Sequence, residues 1–230
     1  MPFIQQITSD FLHLLFPEHC NACGVQLVHG EKQICIRCLY DLPYTDFHLF
    51  ADNPVARLFW GRMPFQGAMS LLYFRKGSKV QDLIHRIKYN GNTELGFMLG
   101  CMIGEKILLT GQKTELIIPI PLHRLKERKR GYNQSKCIAD GIAKVLQLPV
   151  NTKLLTRKIN TGTQTKRSRY NRFENMEYIF RISQSLSLKH KAILLVDDVI
   201  TTGATLESCG HLLLANGFEN LSVATVAYAE

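Results

Sequence analysis

Residues 194–206 read LLVDDVITTGATL, and this stretch decides the predicted fold. It continues a nearly unbroken apolar run, KAILLV at residues 191–196, that is typical of a strand in the middle of a parallel sheet. Asp197 and Asp198 stand at the carboxyl end of this strand, and a short turn rich in threonine then opens a helix. Because ligands of such sheets bind beyond the carboxyl ends of the strands, we expect a binding site here.

The residue types of the turn suit a phosphate group. Free backbone N–H groups at a helix start and threonine hydroxyls together form an anion cradle, and a glycine lets the backbone approach closely. The paired carboxylates can accept hydrogen bonds from the vicinal hydroxyls of a ribose and can help to hold Mg²⁺ through water. The sequence therefore predicts that a ribose 5-phosphate is gripped from both ends, by Asp197, Asp198, Thr201, Thr202, Gly203, Ala204 and Thr205.

Other phosphate-handling sites fit this stretch less well. A phospho-acceptor domain also ends an apolar strand in paired aspartates, but there the pair lies near the start of the fold, whereas Asp198 stands close to the end of a 230-residue chain. The GxxxxGK[ST] loop and the GxGxxG turn of two other nucleotide-binding folds are absent from the sequence. A purely structural turn does not explain two adjacent carboxylates followed by three threonines.

The rest of the chain alternates between strand and helix patterns. Strands are predicted at residues 69–74, 115–121, 178–182, 191–196 and 221–228, and helices at residues 80–89, 94–109, 133–146 and 204–216. This alternation predicts an α/β fold with a doubly wound parallel sheet flanked by helices. Ahead of it, residues 4–15 have helical apolar spacing and residues 39–68 are predicted to form a connector.

Two CxxC pairs near the N-terminus predict a metal site. Cys20 and Cys23 form the first pair, Cys35 and Cys38 form the second, and 11 residues separate them. This spacing can place four thiolates around one Zn²⁺, and four cysteine ligands leave no open position for water, so we expect a structural zinc site with a short hairpin at residues 25–34. Two disulfides or a redox motif are the alternatives, which a reducing compartment and the doubled spacing disfavour.

Charge is distributed unevenly along the chain. Residues 1–60 carry three basic and six acidic side chains, so the formal net charge of +9 arises entirely from the remainder. A basic field of this kind attracts polyanions such as nucleic acid or a phosphorylated small molecule, although a simple solubility charge is the alternative. No apolar run is long enough for a membrane helix and no secretion signal is evident, so we expect a cytoplasmic protein without an integral membrane segment.

The motifs together resemble a known family. Residues 194–206 resemble the 5-phosphoribosyl 1-pyrophosphate (PRPP) signature of type I phosphoribosyltransferases, and with the cysteine pairs the chain resembles the ComF family (ComFC/GntX-like), a zinc ribbon joined to a phosphoribosyltransferase fold. Supporting segments are KYNG at 88–91, IPIPL at 118–122, RGYNQ at 130–134, and the pattern Gln164, Arg172, Asn175 and Phe180. The resemblance implies an N-terminal helix, zinc ribbon and connector at residues 1–60 and a phosphoribosyltransferase-like domain at residues 61–230.

The resemblance also gives two basic segments a role. Residues 121–131 correspond to the loop that receives pyrophosphate, with Arg124, Lys126, Arg128, Lys129, Arg130 and Gly131; a solvated basic run is the alternative. Residues 161–175 correspond to a flexible loop that closes over the reacting centre. A track for single-stranded DNA or a solvated loop are the alternatives there, and the residues concerned are Gln164, Lys166, Arg167, Arg169, Tyr170 and Arg172.

The resemblance implies two functions that can coexist. One is a phosphoribosyltransferase of unassigned acceptor, or a PRPP sensor derived from one, in which Asp197 and Asp198 are the catalytic carboxylates, Mg²⁺ accompanies PRPP and pyrophosphate leaves C1 through an oxocarbenium-like transition state. The other is a competence factor that handles incoming single-stranded DNA together with a helicase or the uptake machinery.

Overall fold

A four-stranded parallel sheet forms the centre of the protein. The computed structural model describes residues 17–158, 179–183 and 192–229. The strands are β1 (Gly67–Phe74), β2 (Leu116–Pro119), β3 (Leu155–Arg157), β4 (Phe180–Ile182), β5 (Ala192–Ile200) and β6 (Asn220–Ala229). The main sheet has the order β1-β6-β5-β2 with all neighbours parallel, and β3 and β4 form a separate antiparallel pair. The predicted parallel α/β fold is confirmed.

The helices of the described residues are α1 (Ile36–Asp41), α2 (Pro54–Arg57), α3 (Lys79–Tyr89), α4 (Thr93–Thr110), α5 (Arg124–Arg130), α6 (Gln134–Leu146) and α7 (Ala204–Ala215), with a 3₁₀ turn at Phe47–Leu49. Four of these helices lie where the sequence predicts them, at α3, α4, α6 and α7, and the other three were not predicted. Asn92 and Asn133 cap α4 and α6 through side-chain oxygens, as short polar side chains do at helix starts. Within the residues described, no helix is long and apolar enough to cross a membrane.

The sheet core explains why β5 reads as a continuous apolar run. Ile193, Leu194, Leu195 and Val196 are each at most 1% exposed, because β5 lies between β6 and β2 and is covered on both faces. Residues of a parallel strand with both faces covered are apolar at successive positions rather than at alternate ones. This burial fixes the position of β5 and therefore of the residues at its carboxyl end.

The segments around the cysteine pairs and the connector differ from the prediction. Residues 25–34 form isolated bridges and a turn at Gly30 instead of a regular hairpin. The connector at 39–68 contains the 3₁₀ turn and α2, because Asn53 caps α2 with its side-chain oxygen and Pro54 suits the first helical position. The predicted helix at residues 4–15 lies outside the described residues.

Helices α4 and α6 cross at two glycines. A Cβ on Gly141 would lie 2.0 Å from the Phe97 carbonyl oxygen, and a Cβ on Gly100 would lie 2.1 Å from the Ile138 carbonyl oxygen. Both distances are far shorter than any real contact of a Cβ atom. The two backbones therefore touch directly, and any larger side chain would force the helices apart. Cys101 and Cys137 are partly buried beside this crossing, whereas Cys209 on α7 is fully buried.

We expect Gly141→Ala to destabilise the protein by about 3 kcal/mol or more, at the upper end of overpacking costs. The added methyl group meets backbone atoms, which cannot rotate away as a side chain can. Urea unfolding measures the change, and Lys144→Ala, an exposed position on the same helix, is the matched control. A Gly141→Ala chain as stable as the control would show that the helices do not cross this closely.

Candidate functional site

Asp197 and Asp198 lie within β5 rather than after it, because the strand continues to Ile200. Adjacent side chains of a strand alternate between its faces, and the two carboxylates have different partners. The Ser135 hydroxyl on α6 donates to Asp197 Oδ1 at 2.8 Å. Asp198 is 4% exposed, and its Oδ2 lies 3.0 Å from the Lys88 ammonium nitrogen at the end of α3. Three elements therefore meet at the predicted acidic pair.

The environment of Asp197 favours its protonated form. Burial raises the pKa of this carboxyl from its ordinary 3.8 to about 7, and the negative charge of Asp198 acts in the same direction. The hydrogen bond from Ser135 and the nearby Lys88 charge oppose this rise without cancelling it. A carboxyl with a pKa close to neutrality can change its charge when a cationic or hydroxyl-bearing ligand arrives.

The raised pKa of Asp197 predicts a pH-dependent stability. In the unfolded chain this carboxyl releases its proton near pH 4, whereas in the folded state it keeps the proton up to about pH 7. The stability that protonation confers is therefore full below pH 4 and is lost as the pH rises towards 7. We expect the free energy of unfolding of wild type to fall relative to that of Asp197→Asn over this pH range. The fall should be about 1.4 kcal/mol for each unit by which folding raises the pKa of Asp197. Urea unfolding between pH 4 and 8 measures it, and parallel profiles would contradict it.

The turn between β5 and α7 presents hydroxyls to solvent. Thr201 and Thr202 are exposed, while Gly203 is buried and has a φ of +74°, a left-handed conformation that favours glycine. A Cβ on Gly203 would lie 3.2 Å from Phe59 Cε1, so the residue also sits tightly against the chain beneath it. Among the residues described, no side chain caps the start of α7. The predicted cradle therefore leaves its helix start available to a ligand.

The predicted basic loop at 121–131 is a helix over most of its length, which corrects the sequence prediction. Helix α5 begins because the His123 Nδ1 accepts from the Leu125 N–H at 3.2 Å, and it ends at Gly131 with a φ of +87°. Its residues are strong helix formers, and the basic side chains of the last turn suit the negative end of the helix dipole. The side chains of Arg124, Lys126, Arg128 and Lys129 are exposed, and that of Arg130 is half-buried.

Two of the short segments that support the family resemblance lie side by side. The Arg130 guanidinium lies over the Tyr89 ring, 5.5 Å from its centroid, and also donates to the Gln134 side chain. The Tyr132 hydroxyl donates to the Ile87 carbonyl, one residue before Lys88. These contacts fix the end of α3 against the start of α6, and they explain how Lys88 comes to face Asp198.

Lys88 belongs to the KYNG segment and Ser135 to the predicted helix at residues 133–146, and the sequence alone does not place either of them at the acidic pair. The one available signal was the occurrence of KYNG among the segments shared with the family. The predicted flexible-loop residues Gln164, Lys166, Arg167, Arg169, Tyr170 and Arg172 lie outside the described residues.

The four predicted metal-binding cysteines come together. All four Sγ atoms lie within 4.8 Å of one another, and Cys23 Sγ is 3.8 Å from Cys35 Sγ. Tetrahedral Zn²⁺ with Zn–S bonds of about 2.3 Å separates its sulfurs by about 3.8 Å, so the spacing fits this ion. Cys20, Cys35 and Cys38 are buried and Cys23 is exposed. The donor set and its spacing therefore suit a closed, four-sulfur metal site.

Hydrogen bonds favour the thiolate form of Cys20, whereas burial disfavours that of Cys38. Burial alone would raise the pKa of Cys20, but N–H groups of Cys35 and Ala22, at 3.3 and 3.4 Å from its Sγ, help to lower it to about 7. Burial and the neighbouring sulfurs raise the pKa of Cys38 to about 12. The Lys79 ammonium lies beside Cys38, and this sulfur raises the pKa of Lys79. A metal ion would favour the thiolate form of all four.

Two large cavities lie away from the acidic pair. One, of about 1100 Å³, separates the cysteine segment from α4 and α6 and is lined by Leu27, Val28, Phe97 and Met98 among others. The second, of about 970 Å³, lies beside the start of β1 and the end of α4. Neither cavity is lined by the paired carboxylates or by the turn that follows them. The candidate site is therefore identified by its side chains and not by its volume.

Comparisons with known proteins relate the C-terminal part of the chain to a known domain. Residues 134–230 match the family model described as "Phosphoribosyl transferase domain". The glutamine PRPP amidotransferase of B. subtilis, solved with ADP and GMP, is 16% identical, with a TM-score of 0.43 over 62% of this chain and 30% of that chain. The parallel sheet and the family match over residues 134–230 define the class: the chain has a type I phosphoribosyltransferase-like fold.

Relatives along the whole chain define the family. The DNA utilization protein YhgH of Salmonella typhi is 30% identical over 209 residues, which are 89% of this chain and 87% of the relative. Competence protein ComFC of Bacillus subtilis (strain 168) is 27% identical over 222 residues, 94% of this chain and 86% of the relative. The chain belongs to the ComF family, as the sequence motifs predict.

Proposed function

We propose that the protein binds PRPP together with Mg²⁺ at the end of β5. The observation that carries this proposal is the uncapped start of α7, with exposed Thr201 and Thr202, directly after the strand that bears the two carboxylates. The 5-phosphate of PRPP would accept hydrogen bonds from the free N–H groups and hydroxyls of this turn. The ribose 2- and 3-hydroxyls would donate to Asp197 and Asp198.

The carboxylates also suit the magnesium ion that accompanies PRPP. Carboxylate oxygens are hard ligands of the kind Mg²⁺ prefers, and Mg²⁺ usually keeps several waters and binds through one or two carboxylates plus phosphates. Asp197 and Asp198 already have Ser135 and Lys88 as partners, so they would hold the ion through water rather than enclose it. The ion would neutralise pyrophosphate charge.

A transfer reaction at this site would break the bond between C1 of the ribose and the pyrophosphate oxygen and form one between C1 and an acceptor nucleophile. The carboxylates would orient the ribose ring, and cations near its pyrophosphate would stabilise the charge that the leaving group gains. Exposed Arg124, Lys126, Arg128 and Lys129 on α5 are the cations we propose for this role. None of the described residues identifies the acceptor.

Calorimetric titration tests the binding proposal. Wild-type chain is titrated with PRPP in the presence and absence of Mg²⁺, and with ribose 5-phosphate and pyrophosphate separately. We expect PRPP with Mg²⁺ to bind more tightly than either fragment, because it engages the turn and the cations together. Absence of binding by PRPP with Mg²⁺ to folded protein would rule the proposal out. Pyrophosphate release in an acceptor screen then decides whether transfer occurs.

We also propose that the four-cysteine site holds one structural Zn²⁺ per chain. The sulfur spacing supports it, and four thiolates would close the coordination shell. The ion would then fix the turns at residues 20–24 and 33–38, which contain few buried apolar side chains of their own. Zinc would take no part in transfer chemistry.

A second function, binding of single-stranded DNA, is favoured by a concentration of positive charge. Residues 121–131, 151–158 and 179–183 contain nine basic side chains and one acidic side chain. They are contiguous, because a bridge joins His123 to Arg157 and β3 pairs with β4. The relatives named for DNA utilization and competence support this proposal, and the natural setting would be cytoplasmic handling of incoming DNA beside a helicase or the uptake machinery.

We expect Lys153→Ala with Arg181→Ala to weaken single-strand binding, because both are exposed cations of this surface. Loss of two phosphate contacts should make the decrease of log K with log salt concentration less steep, by about 1.4 in the slope. Fluorescence anisotropy with a labelled oligonucleotide measures both. Lys113→Ala with Lys144→Ala removes the same charge from exposed positions elsewhere and should leave the slope unchanged. Equal slopes in the two double variants would contradict the proposed surface.

A further inference from the structure

The proposed phosphate turn rests on a segment far from it in sequence. Phe59 and Leu58 lie under Gly203, with Phe59 Cε1 3.2 Å and Leu58 Cβ 3.5 Å from where a Cβ would stand. Two turns further along α7, a Cβ on Gly210 would lie 1.9 Å from Met63 Sδ. Residues 58–63, which we call the support segment, precede β1 and lie outside the region that matches the phosphoribosyltransferase family model.

Arg62 ties the support segment to the turn by charge as well as by packing. Its Nε donates to Glu207 Oε1 at 3.0 Å, and its Nη2 donates to the other carboxylate oxygen. Its Nη1 donates to the Leu58 carbonyl at 2.9 Å and to the Thr202 carbonyl at 3.3 Å. The Glu207 side chain is 7% exposed and that of Arg62 is 35% exposed, so the pair is partly desolvated.

The position of Glu207 makes this pair relevant to an anion. Glu207 stands in the first turn of α7, at the helix start where we place the 5-phosphate. An unpaired carboxylate there would repel a phosphate and would compete with it for the positive end of the helix dipole. The Arg62 guanidinium neutralises this carboxylate from the side of the support segment.

The bond to Thr202 has a second consequence. A backbone carbonyl at the edge of an anion site is itself repelled by the anion. Because the Thr202 carbonyl accepts from Arg62, it is held towards the guanidinium. The N–H groups of the following residues, which open α7, then remain free to face the ligand.

From these contacts we propose that Arg62 is a positioning residue for the 5-phosphate of PRPP, acting through Glu207 and the Thr202 carbonyl rather than by touching the ligand. This proposal rests on the proposed function and adds a requirement for a residue of the support segment. A positioning role differs from that of a residue whose ion pair only stabilises the fold, because it predicts a change in ligand affinity.

The chain offers a matched control. Arg57 forms a similar two-pronged pair with Asp52, at 2.6 Å from Nε to Oδ1 and 3.0 Å from Nη2 to Oδ2, five residues earlier in the chain. Both side chains of this control pair are more than half exposed, and exposed pairs contribute little. Arg57→Ala therefore removes the same kind of interaction without touching the turn.

The test compares three ligands, PRPP with Mg²⁺, ribose 5-phosphate and pyrophosphate, by calorimetry on folded protein. Arg62→Lys keeps the charge beside Glu207 but cannot supply the fork to the carboxylate and the carbonyl together. Arg62→Ala with Glu207→Gln removes both charges and leaves no buried anion, so it keeps the experiment informative where Arg62→Ala alone fails to fold.

We expect both variants to lose about tenfold or more in affinity for PRPP and ribose 5-phosphate, because neither keeps the charged hydrogen bond that orients the Thr202 carbonyl. Pyrophosphate affinity should be unchanged. Arg57→Ala should match wild type for all three ligands. An equal loss of affinity for pyrophosphate, or an unchanged affinity for ribose 5-phosphate in both Arg62 variants, would overturn the proposed role of Arg62 and leave the proposed function standing. A wild-type chain that binds neither PRPP nor ribose 5-phosphate would overturn the proposed function and this role with it.

Discussion

Replacing Cys38 by serine should abolish tight zinc binding and unfold the cysteine segment. Cys38 is 1% exposed and is one of the four sulfurs of the cluster, so its loss leaves three thiolate ligands and opens the coordination shell. Structural zinc sites in small modules contribute apparent free energies of about 10–16 kcal/mol, which exceeds what the few buried side chains of this segment can supply. Metal analysis of the purified chain, with thermal unfolding in the presence and absence of a chelator, measures the effect.

Cys101→Ser is the control for this substitution. Cys101 is half-buried on α4 and belongs to none of the metal-binding pairs, so this variant should keep about one zinc per chain and respond to chelator as wild type does. Stoichiometric zinc in Cys38→Ser, or none in wild type purified without chelator, would contradict the proposed metal site.

Asp197→Asn combined with Asp198→Asn should reduce PRPP affinity by about a hundredfold or more while the fold persists. At a pH above the pKa of about 7 of Asp197, each carboxylate would accept a hydrogen bond from a ribose hydroxyl, and hydrogen bonds to charged groups are worth about 1.5–3 kcal/mol each. Asparagine keeps the size of the side chain and can still accept from Ser135, so the strand should remain in place. Calorimetry with PRPP and Mg²⁺ measures affinity, and far-ultraviolet circular dichroism checks the fold.

Asp82→Asn is the control for the acidic pair. Asp82 is an exposed carboxylate in the first turn of α3, so its substitution changes net charge without reaching β5. We expect its PRPP affinity to equal that of wild type. A double Asp197 and Asp198 variant that binds as tightly as this control would show that the carboxylates do not hold the ribose.

The sequence predicted the strand β5 and the helix α7 because both are defined locally. A fully apolar run followed by acids, hydroxyls and glycine is unusual within one stretch, and its burial on both faces follows from the run itself. The cysteine pairs were equally local, since their spacing already limits the geometry. These parts carry the predicted turn and the predicted metal cluster.

The partners of the acidic pair depend on tertiary structure and could not be predicted in this way. Ser135 lies 62 residues before Asp197 and Lys88 lies still further away, so only the packing of α3 and α6 on the sheet brings them together. Arg62 is a similar case, because it is 145 residues from Glu207 and belongs to a segment that reads as connector. Local patterns hold no information about such long-range contacts.

The helix α5 shows a different limit of sequence reasoning. A run of basic residues between a strand and a helix predicts a loop by its charge, whereas the helix propensity of the same residues favours the helix that forms. The basic residues of its last turn and the glycine that follows them are ordinary signals of a helix end, and both are present in the sequence.

A crystal structure of the chain with PRPP and Mg²⁺ decides whether the end of β5 is the ligand site. We predict the 5-phosphate over Thr201–Thr205 within hydrogen-bond distance of the α7 N–H groups, and the ribose hydroxyls against Asp197 and Asp198. PRPP bound in either large cavity, or at the basic surface with the turn empty, would contradict this placement.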